Sequence, residues 1–266
     1  MTRSFKLAVV AMLVASSSVV AKPAKVDPMT EKKKAENLNR VYTLMESGDS
    51  FQAMEFIETQ GTPHEVANTY FHLVFGLYYK KHDVARMLFI GRAGIQYCLA
   101  QAQSAEKQEL ADKLRQSAKG MAYNLSSFTW PGWNESGITV TRSDMMAGLD
   151  AARLNLRLAQ ELKRGPGALG GAHWMLGAQH LAFGDSQLAL DEFARAVEHF
   201  RQASKDDSEQ MARGYIGIAK LTVERSGAEG KAKVAAAIGA LNEMDTEDAK
   251  FYAQQLESVA EFFQNR

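Results

Sequence analysis

The stretch from Trp174 to Phe200, WMLGAQHLAFGDSQLALDEFARAVEHF, constrains this chain more than any other. Apolar or small residues recur at spacings of three and four on both sides of a Gly184-Asp185-Ser186 corner. They are Leu176, Gly177, His180 and Leu181 before it, and Ala189, Phe193, Ala196, Val197 and Phe200 after it. A period of that length gives each of two helices one buried stripe. The corner permits a tight reversal, because glycine can take the left-handed conformation that ends a helix and Asp or Ser can cap the next. The stretch therefore predicts two helices packed against each other. Gly48-Asp49-Ser50 repeats the corner, and Ala53 follows it as Ala189 follows the later one. Such an internal echo is the mark of a repeat architecture.

The same periodicity runs through the chain. Lys22 to Pro28 reads as a linker broken by Pro23 and Pro28, and Thr30 as the cap of a first helix that stops at Gly48. Helices are predicted over about 64–80 and 84–101, the second with Ala85, Leu88, Phe89 and Ile95 turned inward. Ser104 reads as the cap of a long helix to about Asn124, with Leu110, Leu114 and Met121 on its apolar stripe. Residues 127–142 break the pattern, since Pro131, Gly132 and Gly137 are incompatible with a regular helix. A helix to Lys163 then carries Met146, Leu149, Ala152, Leu156 and Ala159. Further helices follow the Trp174 pair over about 208–225, 232–242 and 247–263, the last capped by Thr246. No stretch alternates as a strand, so the fold class is all-α with about eleven helices. A single domain over 30–266 is arranged as an array of antiparallel helix pairs or, alternatively, as an irregular helical bundle.

Leu176-Gly177, Gly184, Ala189, Phe193 and Ala196 stand at the spacing of a tetratricopeptide repeat, which this unit resembles. His180 takes the family's aromatic slot. Trp174 falls one residue later than the usual tryptophan, a shift toward the inner concave face if Ala189 sets the register. Elsewhere the resemblance is thinner: Gly48, Ala53 and Ile57 fit, but Arg40 stands where the pattern has Leu. The resemblance implies an α-solenoid whose concave groove takes a segment of a protein or peptide partner.

Residues 1–21 read as a secretory signal peptide. Arg3 and Lys6 give a positive start, Leu7 to Val14 an apolar run too short to span a bilayer, and Val19-Val20-Ala21 a small-residue cleavage position, with Ala24 as the alternative. The leader implies a periplasmic or secreted protein with its partner in the cell envelope. No later run of 18 apolar residues occurs, so no membrane span is expected. The formal net charge of zero, with lysines and acids mixed along the chain, argues against nucleic acid as a partner.

Candidate chemistry is sparse. Cys98 is the only cysteine and lies in an apolar helical run, the setting of a buried hydrophobe. The six histidines show no His-x3-His or His-Glu-x-x-His spacing. His173 and His180, two turns apart, lie roughly 10 Å from each other along a helix. No metal ligand set, cofactor loop or catalytic residue is predicted, and the reading is of a non-enzyme. The specific features are aromatic. Trp130 and Trp133 in the irregular loop either plug the core or bind a partner, and Trp174, Tyr70 and Tyr79 on first helices are candidate groove residues. An envelope hydrolase or small-ligand binder with its site beside Trp130 and Trp133 is the alternative reading.

Overall fold

The computed structural model describes residues 28–223 and 227–265. The expected leader and all but the end of the linker lie outside the described residues. Among the described residues eleven helices follow one another: α1 (Pro28–Glu46), α2 (Ser50–Glu58), α3 (Pro63–Tyr79), α4 (Val84–Ser104), α5 (Gln108–Phe128), α6 (Arg142–Glu161), α7 (Pro166–Phe183), α8 (Ser186–Gln202), α9 (Asp206–Val223), α10 (Ala228–Glu243) and α11 (Glu247–Gln264). A 3-10 turn, Pro131–Trp133, lies between α5 and α6. Each helix packs on the next, and the odd-numbered helices from α1 to α11 also touch in succession. The molecule is an all-α, solenoid-like array of neighbouring helix pairs, with no strand among the described residues.

The two Gly-Asp-Ser corners behave alike at the backbone and differently at the side chain. Gly48 and Gly184 have φ of +84° and +82°. Asp49 caps α2 by accepting from the Gln52 amide at 2.8 Å, whereas Asp185 holds the cap position of α8 without a side-chain bond. Ala53 and Ala189 are fully buried. At the second corner a Cβ on Gly177 would lie 2.8 Å from the Phe193 ring and 3.2 Å from the Ala189 carbonyl. Small residues there let α7 and α8 approach closely.

Several boundaries and faces differ from the periodic reading. α1 begins at Pro28, two residues before Thr30, because proline's fixed φ suits the first helical turn. Ser104 ends α4 instead of capping α5: its hydroxyl donates back to the Ala100 carbonyl at 3.2 Å. On α4, Ala85 and Phe89 face solvent while Met87, Gly91, Gly94 and Cys98 face inward. The glycines choose that face, since a Cβ on Gly91 would strike Leu125 and one on Gly94 would lie 2.7 Å from Tyr70. Met146 of α6 is likewise exposed, and the buried face runs through Met145, Gly148, Ala152 and Asn155.

Two apolar clusters form the core. One joins α1–α5 and part of α6; the other joins Trp130 and α6–α11. A polar seam lies where they meet: the Gln179 amide donates to the Ser126 carbonyl at 2.7 Å, and Thr129 donates to the Leu125 carbonyl at 2.7 Å. The array also curls, because the 3-10 turn contacts α11 and the Trp130 ring centre lies 6.2 Å from that of Phe263.

Candidate functional site

The curl encloses a groove of about 960 Å³. α5 supplies one wall through Gln116, Lys119 and Tyr123, α7 the floor through Gly171 and Trp174, and α11 the opposite wall through Phe251, Tyr252 and Gln254. The remaining edge comes from the α8–α9 corner and the start of α9, where Lys205, Asp206 and Asp207 stand. These residues meet because odd helices stack beside one another, and residues 116, 119, 120 and 123 share one face of α5 at spacings of three and four.

Lys119 dominates the electrostatics. It is 8% exposed, and its ammonium makes no hydrogen bond or ion pair among the described residues. Only its backbone is engaged, through its carbonyl, which accepts from the Asn155 amide at 2.9 Å. Burial, with the charge of Arg164 nearby as a smaller cause, pulls its ammonium down to about 8. Burial also raises the phenol of Tyr123 well above its usual range, with Tyr252 across the groove adding to the effect. Trp174 is 1% exposed and its indole nitrogen is buried with no partner. Its ring meets Tyr215 of α9 edge-on at 5.3 Å and lies 6.3 Å from Trp133. Trp174 thus sits between successive odd helices on the groove side of α7.

The irregular loop is a plug. Trp130 is 1% exposed, donates from its indole to the Ala178 carbonyl at 2.8 Å, and stands edge-on to Trp133 at 4.7 Å. Gly132 passes over the Trp130 ring, where any Cβ would collide with it. Trp133 is half-buried and donates to the Ser127 carbonyl at 2.8 Å. Tyr70 is fully buried, with its hydroxyl 3.3 Å from a Glu58 carboxylate oxygen, and Tyr79 is half-buried among Phe75, Tyr78 and Phe128. The structure therefore gathers Trp130, Trp133 and Trp174 behind one groove and leaves Tyr70 and Tyr79 in the other cluster.

The chain matches no family model and no curated protein.

The groove residues that the sequence reading missed are Lys119, Tyr123 and the α11 wall. A signal for α5 was present in the 116-119-120-123 spacing, but a lysine on a helix face reads as solvated until a neighbouring helix covers it. Two other features lie apart from the groove. His173 and Glu192 share a 2.6 Å hydrogen bond between α7 and α8, with the His199 ring stacked on His173 at 5.2 Å. Cys98 is fully buried, and burial pushes its thiol up to about 12, which keeps it a protonated core residue. Among the described residues no three His, Cys, Asp or Glu side chains group as metal ligands, and no helix is long and apolar enough to cross a membrane.

Proposed function

We propose that this is a non-enzymatic binding or scaffold protein of tetratricopeptide-like build that holds a segment of another envelope protein in the groove between α5 and α11. The observation that carries this reading is the groove itself. It has about 960 Å³ of space walled by three odd helices, with aromatic residues and polar groups converging on it. A groove of this shape suits an extended or helical segment, whose side chains would seat against Tyr123, Phe251 and Tyr252. The leader-like residues 1–21 support a periplasmic or secreted location, with the mature chain starting at Lys22.

Photo-crosslinking residues placed at the exposed rim positions Gln116 and Gln254 test the reading in intact cells. The expected result is a discrete crosslinked envelope protein from both positions and none from Met146 or Leu188, which are exposed on even-numbered helices. Identical products from rim and outer positions, or no product from the rim, overturn it. Sequencing the amino terminus of the protein released by osmotic shock tests the location; an unprocessed chain retained in the cytoplasm refutes it.

A further inference from the structure

Among the described residues the groove contains a largely buried lysine without a counter-charge and a fully buried N–H donor without an acceptor. Lys119 is 8% exposed and Trp174 1%, and among the described residues no carboxylate meets the ammonium and no acceptor meets the indole nitrogen. Both line the same cavity. Burying an ammonium without a partner is strongly unfavourable, and an unmade hydrogen bond on a buried donor adds to the penalty. A folded chain retains such groups where a ligand completes them. We propose that Lys119 and Trp174 form an anion-recognition site, and that the segment held in the groove presents a carboxylate side chain flanked by aromatic or aliphatic residues.

The rest of the groove selects that chemistry. The far rim carries Asp206, Asp207, Glu247 and Asp248 against Lys205 and Lys250, the latter paired with Asp245 at 2.7 Å, so its balance is acidic and disfavours a phosphate dianion or any polyanion. The Lys119 ammonium is a point charge suited to one carboxylate, and among the described residues that line the groove no arginine offers a fork for bidentate phosphate binding. Phe200, Met211 and Phe251 supply the apolar surface beside it. Gly171 leaves the floor open, because a Cβ there meets no atom within 4 Å.

The site deepens the protein-binding reading and rests on it, and one titration separates the two. The intact protein has three tryptophans, so the Trp174 indole signal in a nitrogen-proton spectrum is assigned with W174F. The probes are a pool of end-blocked hexapeptides with Glu fixed at the third position among degenerate apolar residues, the same pool with Gln there, and free phenylacetate. The Glu pool is expected to shift the Trp174 signal. Its affinity should exceed that of the Gln pool at least tenfold, and K119M should remove that preference while K119R keeps it. Equal binding of the two pools, or an unchanged preference in K119M, overturns the anion site and leaves the groove reading standing. Lys119-dependent binding of phenylacetate with neither pool bound supports the anion site and refutes the protein-segment reading. No shift with any probe overturns both.

Discussion

At the scale of single residues, the groove is marked by groups that folding alone would remove. Lys119 has a folded-state value of about 8 against an ordinary 10.5, so between those pH values the unfolded chain binds more protons than the folded one. Stability is therefore expected to rise as pH increases from about 8 to 10.5, while below 8 the full penalty of the buried charge applies. Replacing Lys119 by Met removes the penalty. K119M should be more stable than the parent at pH 7 by about 2 kcal/mol, as measured by urea denaturation, and the pH dependence should flatten. A less stable K119M would make the lysine a structural element. Gly148 illustrates the opposite case. A Cβ there would collide with the Thr129 hydroxyl and come within 3.0 Å of the Gln179 amide, both part of the buried polar seam. G148A should cost about 3 kcal/mol through overpacking and lost hydrogen bonds, read as a lower denaturation midpoint with an unchanged slope. Neither residue stands out in the sequence: a lysine on a helix face reads as solvated, and what meets Gly148 is set only by the packing of Thr129 and Gln179 against it.

At the scale of elements, α7 carries the most. It is buried almost all round, packs on both α6 and α8, and forms the groove floor. Gly171 is an interior glycine of this helix with open space in front of it, so G171M should raise stability by about 1 kcal/mol through helix propensity. The same substitution fills the floor and should abolish crosslinking from Gln116 and Gln254. Loss of stability together with binding would contradict the open space. The α7–α8 pair also holds the His173, Glu192 and His199 group. Burial, with His173 second, lowers the folded-state value of His199 below its ordinary 6.5. The stability it contributes is present above about 6.5 and is lost as pH falls toward the lower folded value. H199N should flatten the melting temperature between pH 7 and 5 relative to the parent. The helical pattern located α7 and α8 and their corner correctly. It placed Leu88, Ile95, Ala152 and Ala159 inside correctly and Ala85, Phe89 and Met146 wrongly, because the period alone leaves the edge of a stripe open and glycines at close helix crossings decided it.

At the scale of the whole molecule, the decisive feature is the curl that brings α11 back to the turn after α5. Trp130 joins these parts, with its indole bonded to α7 and its ring near Phe263 and Tyr215. W130A should cost about 4 kcal/mol as a large cavity in a rigid core, and small-angle scattering of any folded fraction should show a larger radius as the groove opens. An unchanged profile would mean that the curl is set elsewhere. Among the described residues α2 buries only Ala53 and Ile57, and its main contacts are with α1 and α3. In an array where each unit leans on its neighbours, amide exchange should therefore be fastest in α2.

The order of helices, their corners and the array of pairs were set by local rules: a 3.6-residue period, capping residues, and glycine where φ turns positive. These depend on neighbours within a few positions, so the sequence alone determined them. The groove was decided by contacts between residues far apart in the chain. Lys119, Trp174 and Phe251 line one groove only when odd helices stack and the array curls, and Trp130 becomes a plug only when α7 and α11 close over it. Burial is a property of that assembly, and burial turned an ordinary lysine and an ordinary tryptophan into the most informative residues of the protein.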